Sequence, residues 1–292
     1  MGPTSTVTVM IIHNMVTLTF FLSLVAVAVV AGLFGSMVGL GGGIIIVPIL
    51  TFVYHIDIRL AIGASLIAVI ATSSVSAISY VSQGLANLRT GLFLEMATTL
   101  GALTGALVTT YLPTRVLFVL FGLVLLYSAA TMYWHRRGTC LTSSSDHLAN
   151  SLALHGHYFD AALHQEVKYK ITHTKLGLGL MYLAGVVSAL LGTGAGSLKV
   201  PALDLAMHMP IKASTATSNF MMGVTAAAGA AVYFARGQIS PTLAAPIALG
   251  ILAGAAVGSY LFGRVRPKVI YAIFLLVLIV TATQMLKAGL AP

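Results

Sequence analysis

The sequence predicts an all-α polytopic membrane protein made of two inverted repeats, and three observations carry that prediction. Hydrophobic residues make up 58% of the 292-residue chain and charged residues only 7%, whereas roughly a quarter of a soluble protein is charged. The apolar residues are gathered into runs of membrane-spanning length, and the runs of the second half repeat those of the first. So few charged side chains cannot cover a water-exposed surface, which excludes a soluble enzyme.

The apolar residues form five runs in each half of the chain. The runs are, in order, 16–35, 43–54, 61–82, 91–111 and 114–134, then 176–191, 196–207, 213–235, 242–262 and 269–286. A membrane helix needs ~20 apolar residues, and the second run of each half is too short to span. Each short run follows a glycine cluster and contains a proline, Pro48 or Pro201. We therefore expect broken or re-entrant helices after Gly-rich turns, because irregular backbone at membrane depth needs protein or a wet cavity around it.

These runs divide the chain into two repeats joined by a polar linker. The expected parts are an N-terminal tail (1–15), a first transmembrane repeat (16–134), a histidine-rich linker (135–175), a second transmembrane repeat (176–288) and a C-terminal tail (289–292). The linker holds 8 of the 21 charged residues and 6 of the 9 histidines. We therefore expect a solvent-exposed connector, in which Tyr158, Asp160, Val167 and Tyr169 are compatible with a short hairpin.

No metal site or cofactor is expected. The linker histidines include His147, His155 and His157, and the chain has one cysteine, Cys140. A metal cage needs three or four ligands at fixed spacing, and these residues match no such spacing. Nothing positions Ser, His and Asp as a catalytic triad, so the sequence carries no signal for an enzyme.

Residues of the first half match residues that lie 153 positions later in the second half, with no gap in the alignment. The matching residues are mostly glycine, proline and polar residues that interrupt the apolar runs. They are Gly32, Gly39, Gly41, Gly43, Val47, Pro48 and Leu50 with Gly185, Gly192, Gly194, Gly196, Val200, Pro201 and Leu203, then His55, Ser65, Thr72, Tyr80 and Gly84 with His208, Ser218, Thr225, Tyr233 and Gly237. Biased composition does not align such residues, so the chain contains an internal repeat.

The positions of lysine and arginine favour inverted repeats over parallel ones. Five crossings per half make the repeats inverted, whereas four make them parallel. With five crossings and the linker inside, ten Lys and Arg are cytoplasmic and four are outside; with four crossings the counts are eight and six. The positive-inside rule therefore favours inverted repeats with both termini outside. This architecture is typical of secondary transporters, whose site lies where the halves meet near mid-membrane.

The two glycine clusters are candidate anion sites. Neither is a dinucleotide fingerprint or a Walker phosphate loop, because the required strand and the Gly-Lys-Ser/Thr ending are missing. A glycine turn that opens a half-helix leaves unpaired N–H groups, which attract an anion together with the helix dipole. The alternative is tight packing at a helix crossing, which also favours small residues. The candidate residues are Gly41, Gly42 and Gly43 in the first half, and Gly194, Ala195 and Gly196 in the second.

Lys199 is the one Lys or Arg away from a predicted loop or terminus, and its repeat partner is Ile46. A cation inside a membrane is costly and marks a candidate functional site, unless it snorkels to a nearby interface. Two acidic residues, Glu95 and Asp204, could pair with a cation or carry a coupling proton or ion. For Glu95 the alternative is a helix-end residue near Arg89.

Hydroxyl and amide side chains open the helix that follows each short run. Ser65 lies there in the first half, and Ser218 and Asn219 lie there in the second. Such groups can donate to an oxyanion without the cost of a buried charge. Interhelical hydrogen bonding is an equally common use of the same residues.

At the glycine clusters the sequence resembles the TauE/SafE family of sulfite exporter-like membrane permeases. The resemblance rests on GLFGSMVGLGGGIIIVPIL and RLAIGASLIAVIATSSVSAISYVSQG in the first half, and on GVVSALLGTGAGSLKVPALDLAMHMPIKASTATSNFMMGVTAAAGAAVYFARGQISP in the second. It implies a multi-helix transporter of small sulfur-containing anions such as sulfite or organosulfonates, with members that differ in substrate and direction. The second cluster departs from an all-glycine pattern at Thr193 and Ala195.

The sequence thus predicts a multi-pass secondary transporter in the cell (inner or plasma) membrane that moves a small sulfur-containing oxyanion by alternating access. There is no ATP-binding loop, so an ion gradient of H+ or Na+ drives transport or transport is passive. The net charge of +9 is scattered, so no nucleic-acid partner is expected, and a homo-oligomer is left open. The alternatives are a divalent-metal permease that gathers cations with the linker histidines, and a membrane receptor or scaffold that transports nothing.

Overall fold

The computed structural model describes residues 3–39, 41–134, 146–160, 165–261 and 267–290. The first half consists of α1 (Pro3–Val38), α2 (Gly43–Phe52), α3 (Ile58–Ser82), α4 (Leu88–Val108, followed by a 3-10 turn, Thr109–Tyr111) and α5 (Thr114–Trp134). The linker contains α6 (His147–Ser151), β1 (Gly156–Asp160) and β2 (Gln165–Tyr169). The second half consists of α7 (Thr174–Leu191), α8 (Gly196–Pro201, followed by a π-helical turn, Ala202–Ala206), α9 (Ile211–Ala235), α10 (Pro241–Leu261) and α11 (Pro267–Leu290).

The predicted all-α polytopic membrane architecture is confirmed. Within the described residues, six segments are long and apolar enough to cross a membrane. They are Leu18–Val38, Ile58–Ser82, Leu88–Tyr111, Thr114–Thr131, Thr174–Leu191 and Pro241–Leu261. Polar residues at the starts of the helices set their boundaries: Asp57 accepts a hydrogen bond from the N–H of Arg59 at the start of α3, and Asn87 accepts one from Thr90 at the start of α4.

Helix α1 begins at Pro3, so the predicted N-terminal tail 1–15 is helical from that residue on. The prediction started the helix at residue 16 because the apolar run starts there. Proline is well tolerated in the first turn of a helix, and residues 4–15 contain no glycine or proline to stop it. At the other end, α11 continues to Leu290, two residues beyond the predicted repeat boundary at residue 288.

Each short helix folds back along the helix before it. In the first half the hydroxyl of Tyr54, just after α2, donates to Ser23 Oγ on α1 at 2.8 Å. In the second half the N–H of Thr172, just before α7, donates to the carbonyl of Met207 at 3.3 Å. Gly177 near the start of α7 packs directly against the Met207 sulfur. The end of α2 therefore returns to the first turns of the membrane-spanning part of α1 (Leu18–Val38). The segment after α8 likewise returns to the start of α7, as expected of re-entrant segments.

The helices pair in a pattern that recurs with the spacing of 153. Helix α1 packs along α10 and α7 packs along α4, while α3 packs on α9 and α5 on α11. Glycines let the backbones of the first two pairs touch. Gly254 and Gly258 meet the backbone of Val29 and Leu33, and Gly101 and Gly105 meet that of Tyr182 and Val186, which are the residues 153 positions away.

Two buried tyrosines close the ends of the helices that precede the glycine turns. Tyr80 donates to the carbonyl of Ser36 at 2.9 Å, and Tyr233 donates to the carbonyl of Ala189 at 3.0 Å. The last four carbonyls of a helix have no partner within it. The two tyrosines therefore stabilise equivalent helix ends, and both pairs of residues are again related by the offset of 153.

The linker is an ordered unit that docks on the membrane helices. Strands β1 and β2 form an antiparallel hairpin in which Tyr158 lies opposite Val167. Tyr158 and Tyr169 are buried, and burial raises the pKa of Tyr169 to about 12. The carbonyl of Leu154 accepts hydrogen bonds from Asn87 and Thr90 of α4. The short hairpin that the sequence allowed is therefore present. Its two tyrosines are buried against the membrane helices, while His157 and Phe159 stay exposed. Residues 135–145 and 161–164 lie outside the described part.

Polar contacts fix both ends of the ordered linker. Asp146 caps α6 and accepts a hydrogen bond from the N–H of Thr174 at 2.6 Å. Hydrogen bonding by Thr174 lowers the pKa of Asp146 to about 2. His155 contacts Asn150 Oδ1 through Nε2 at 2.6 Å and accepts the N–H of Ile171 at Nδ1. This histidine therefore joins two linker segments.

Candidate functional site

The two glycine turns have the same backbone conformation. Gly39 and Gly41 have φ of +76°, and their repeat partners Gly192 and Gly194 have φ of +70° and +72°. Glycine adopts this left-handed region without the penalty that a Cβ brings. The sequence therefore breaks the helix at both places in the same way and starts a new helix at Gly43 and at Gly196.

The two turns touch each other between α3 and α9. A Cβ on Gly43 would collide with the carbonyl oxygen of Gly192, and one on Gly41 would lie 3.4 Å from the carbonyl oxygen of Thr193. Val69, near the middle of α3, borders Gly41, Gly43 and Gly194. Met222, near the middle of α9, borders Gly41 and Gly194. The two glycine clusters therefore meet, and their glycines allow the close packing of the two turns and begin the half-helices.

The first turns of both half-helices are hydrogen-bonded alike. In α2 the N–H groups of Ile45 and Ile46 both donate to the carbonyl of Gly42, and in α8 those of Leu198 and Lys199 both donate to the carbonyl of Ala195. Within the described part of the chain, the N–H groups of Gly196 and Ser197 have no backbone acceptor. Such N–H groups are free to bind a ligand.

Ser65, Ser218 and Asn219 lie about two turns inside α3 and α9, which begin earlier than the sequence predicted, at Ile58 and Ile211. These polar residues are used differently in the two helices. Ser65 Oγ donates to the carbonyls of Ile62 and Gly192, both at 2.8 Å. The hydrogen bond to Gly192 links α3 to the second glycine turn. Ser218, its repeat partner, is fully buried and makes no hydrogen bond with any described residue. Asn219 donates from Nδ2 to the carbonyl of Thr215 at 3.1 Å, while its Oδ1 is left without a donor.

Two further hydroxyls at the second turn lack partners, and the sequence reasoning did not select them. Thr193 Oγ1 and Ser197 Oγ are buried without a hydrogen bond among the described residues. Burying a hydroxyl without a partner is unfavourable, so these two groups are candidates to bind a polar ligand or a water molecule. The signal in the sequence was the repeat itself, because the positions 153 residues earlier hold the apolar Leu40 and Ile44.

Lys199 is completely buried, so the alternative that it snorkels to an interface is wrong. Its ammonium donates to Thr225 Oγ1 at 2.5 Å and lies 3.5 Å from Glu95 Oε2. The hydroxyl of Thr225 in turn donates to Glu95 Oε1 at 2.5 Å. Glu95 is itself buried and its cation is Lys199, whereas Arg89 is exposed. The ammonium is therefore paired, and of the two acidic residues that the sequence offered as partners of a cation, Glu95 is the one in ion-pair contact with it.

The other acidic candidate, Asp204, is not part of this ion pair. It is buried on the π-helical turn that follows α8. A straight half-helix would have continued through this position, and the π-helical turn follows directly after Pro201, whose ring prevents regular helical bonding. Asp204 has polar contacts of its own, and Lys199 pairs with Glu95 instead.

Within the described residues, no group of three or more His, Cys, Asp or Glu could hold a metal ion. His155 uses both ring nitrogens in contacts within the linker. His157 lies 3.7 Å from Glu166 on the exposed face of the hairpin. His155 and His157 therefore make their contacts within the linker.

Known proteins match the chain over most of its length. The family described as Sulfite exporter TauE/SafE matches residues 24–285. The probable membrane transporter protein YunE of Bacillus subtilis (strain 168) is 26% identical over 277 residues, which cover 92% of this chain and 98% of that protein. YdhB, a probable membrane transporter protein of the same organism, is 26% identical over 254 residues, 86% of this chain and 95% of that protein. No solved structure gives a significant match.

A third relative, a probable membrane transporter protein of Methanocaldococcus jannaschii, is 24% identical over 260 residues, 84% of this chain and 87% of that protein. The family match includes both glycine turns and the Lys199–Glu95 pair. It also includes five of the six apolar segments that are long enough to span a membrane, and most of the first segment, Leu18–Val38. This chain is a multi-pass membrane transporter, not an enzyme, and it belongs to the sulfite exporter TauE/SafE family.

Proposed function

We propose that the protein is a secondary transporter that moves a small sulfur-containing oxyanion, such as sulfite or an organosulfonate, by alternating access. The observation that carries the proposal is the meeting of two glycine turns between α3 and α9, with buried hydroxyls at the second turn that have no partner among the described residues. Buried hydroxyl donors suit an anion whose charge is spread over several oxygens, because each hydroxyl can donate a hydrogen bond to one of those oxygens.

Inverted repeats are one of the architectures that support alternating access, and the contacts of two arginines favour opposite orientations of the two halves here. Arg59 at the start of α3 donates to the carbonyl of Leu112, just after α4. Arg236 at the end of α9 donates to the carbonyl of Ala106, in the last turn of α4. Both arginines therefore lie at the same end of the bundle. Parallel repeats would place them at opposite ends, so we propose inverted repeats, as the charge count favours.

The re-entrant hairpins are compatible with the same orientation. The membrane-spanning part of α1 (Leu18–Val38) crosses the bundle, and α2 returns the chain to the end at which Leu18 lies. Helices α3, α4 and α5 then cross three times. An odd number of crossings in the first half makes the second half begin on the opposite side. The number of net crossings per half is thus three rather than five, but the inversion is unchanged.

Ser197 and Thr193 supply the donors in this proposal, together with Ser218 and the N–H groups at the start of α8. The glycines allow an anion to approach the backbone closely. The substrate class comes from the family description, which names sulfite export. The chemistry of the site agrees with it, since sulfite and sulfonate oxygens are strong acceptors.

Transport into proteoliposomes tests the proposal directly. We expect the purified protein to take up radiolabelled sulfite and methanesulfonate, and each to inhibit uptake of the other. Thr193→Val and Ser197→Ala should each weaken binding by about 10-fold, as expected for the loss of a hydrogen bond to a charged group. Thr51→Val is the matched control, because Thr51 Oγ1 also lacks a partner but lies at the end of α2, away from the turns.

Two results would contradict the proposal. Uptake that is absent, with intact anion binding, indicates a receptor or scaffold in place of a transporter. Uptake that is unaffected by Thr193→Val and Ser197→Ala places the binding site elsewhere.

A further inference from the structure

The buried ion pair joins the two halves of the molecule. Glu95 lies on α4 of the first half and Lys199 on α8 of the second. Thr225 of α9 holds both partners, because its hydroxyl accepts from Lys199 and donates to Glu95 Oε1. Thr99, one turn further along α4, also donates to Oε1 at 3.3 Å. Glu95 Oε2 faces the ammonium and accepts no hydrogen bond from a described residue, so this oxygen has room for a proton.

We propose that Glu95 is the proton-binding residue of this transporter and shares Lys199 with the transported anion, so that each anion moves together with one proton. This inference rests on the proposed function. When Glu95 is ionised it occupies Lys199. When Glu95 takes up a proton at Oε2, the ammonium is left without a counter-charge and binds the anion. The unloaded site then holds Lys199 and ionised Glu95, and the loaded site holds Lys199, the anion and protonated Glu95.

Charge balance makes this coupling obligatory. Both the unloaded and the fully loaded site carry no net charge. A site with only the proton is positive, and a site with only the anion is negative. An uncompensated charge in a buried site is strongly unfavourable, so only the two neutral states can change the side to which the site opens. For a monovalent anion, transport is therefore electroneutral with one proton per anion.

No second charged group competes for this role at Glu95. Helix α4 packs on α7 and α9, whose other titratable side chains are those of Lys175, Tyr182, Lys212 and Tyr233. Lys175 is exposed. Tyr182 of α7 lies against Thr104, and Tyr233 of α9 donates to Ala189. Asp204 and Lys212 have contacts of their own. Among the described residues, the charged group in ion-pair contact with Glu95 is Lys199.

The repeat indicates that the shared scaffold does not need the ion pair. The positions equivalent to Lys199 and Glu95 are Ile46 and Ala248. The equivalent of Thr225 is Thr72, which only bonds the carbonyl of Ala68 in its own helix. The repeat-equivalent positions therefore carry no charge, so the molecule has one copy of the pair, which gives one proton and one anion per cycle.

Proton and anion fluxes in the same vesicles test the inference without any substitution. Methanesulfonate is the probe, because it stays fully ionised at about pH 5 to about pH 8 whereas sulfite does not. Radiolabelled methanesulfonate and a lumenal pH dye report the two fluxes. We expect one proton per anion, and uptake that does not respond to a potassium diffusion potential. Anion uptake without protons, or uptake driven by the potential or by Na+, would overturn the inference while leaving anion transport established.

Glu95→Gln sharpens the test, because glutamine resembles the protonated acid and leaves Lys199 free. We expect methanesulfonate binding at pH ~8 to strengthen by about 10-fold or more, corresponding to a charged hydrogen bond, and to lose its dependence on pH. Uptake should become sensitive to the potential. Glu166→Gln, which removes an exposed acid from the linker hairpin, should leave both properties unchanged.

Asp204→Asn separates the two buried acids. If Asp204→Asn abolishes the pH dependence and Glu95→Gln does not, the proton binds at Asp204 and the inference is wrong. If the unmodified protein neither binds nor moves sulfite or methanesulfonate, the proposed function fails first and the coupling fails with it. If Glu95→Gln does not fold, the proton-to-anion ratio of the unmodified protein still decides the question.

Discussion

The two glycine turns are built alike and carry different side chains. Both have glycines with positive φ, and both start a half-helix with two N–H groups that share one carbonyl acceptor. The first half-helix then presents Ile44 and Ile46, whereas the second presents Ser197 and Lys199, and all four side chains are buried. The repeated feature is therefore the backbone, while the polar chemistry is present once. Alternating access needs a symmetric frame, but one substrate per cycle needs only one set of polar groups.

The largest expected effect comes from separating the two turns. Gly43→Ala places a methyl group against the carbonyl oxygen of Gly192 and the side chain of Val69. The backbone at Gly192 cannot move aside as a flexible side chain could. Overpacking of this kind costs about 3 kcal/mol. We expect a clear fall in the free energy of unfolding and loss of anion uptake, measured by thermal unfolding in detergent and by proteoliposome flux.

Gly179→Ala is the control for this substitution, because nothing lies within 4 Å of the added methyl group on α7. It should leave the stability unchanged or slightly raised, since alanine favours helix more than glycine does. Equal behaviour of the two variants would mean that the turns do not touch.

The serine pair tests whether the halves differ in chemistry. Ser65 holds the second turn through the carbonyl of Gly192, so Ser65→Ala should lower the free energy of unfolding by about 1 kcal/mol. Ser218 makes no hydrogen bond with described residues, so Ser218→Ala should leave stability unchanged and weaken methanesulfonate binding several-fold. Chemical unfolding and equilibrium binding measure the two properties. A stability loss that is the same in both variants would remove the difference between the halves.

A smaller effect concerns the residues that cap the two half-helices. Ala195 has φ of +56°, whereas its repeat partner Gly42 has φ of −68°. A left-handed conformation costs a residue with a Cβ about 1 kcal/mol, so Ala195→Gly should raise the melting temperature slightly. Gly42→Ala should lower it, because the new methyl group meets Ile251 Cδ1 at 2.5 Å. Thermal unfolding of both variants checks the opposite signs, and a shift of the same sign in both would contradict this account.

The smallest effect concerns the linker, which belongs to neither half. The pKa of Asp146 is about 2 in the folded protein, below the ordinary 3.8. Ionised Asp146 therefore stabilises the docked linker above about pH 4, and this contribution is lost as the pH falls towards about 2. Asp146→Asn should make the linker easier to cleave with protease at neutral pH, with the membrane helices intact. Unchanged cleavage rates would show that the other linker contacts suffice.

Much of the fold could be predicted from the sequence, because glycine and proline interrupt apolar runs at fixed places. The glycines with positive φ, the half-helices and the tyrosines Tyr80 and Tyr233 recur where the offset of 153 places them. The start of α1 was missed, because hydrophobicity marks where a helix enters the membrane and not where it begins. The docking of the linker could not be predicted, because its contacts are made with helices distant in sequence, such as the hydrogen bond from Thr90 Oγ1 to the carbonyl of Leu154.

The candidate site could be predicted only in part. The residue types at Lys199 and Glu95 indicated buried charge, but their separation of more than 100 positions hid the fact that they pair. Thr225 was visible only as a repeat partner of Thr72, although it is the hydroxyl that joins the ion pair. The different roles of the repeat partners Ser65 and Ser218 also depend on neighbours that sequence periodicity does not reveal.

The central claim is that one half alone carries the charge that binds the anion. Lys199→Met keeps the length of the side chain and removes its charge, and Ile46→Met is the matched change in the first half. Lys199→Arg keeps the charge but adds a bulky planar group, so we expect it to be only partly tolerated. All three variants keep a side chain at a position that is buried in the folded protein.

The deciding measurement is the affinity of these variants for methanesulfonate at a pH where the unmodified protein binds it, with thermal unfolding as a check of folding. We expect Lys199→Met to weaken binding by about 10-fold or more, as for the loss of a charged hydrogen bond, and Ile46→Met to leave it unchanged. Unchanged affinity in a folded Lys199→Met protein, or an equal loss in both methionine variants, would contradict the account.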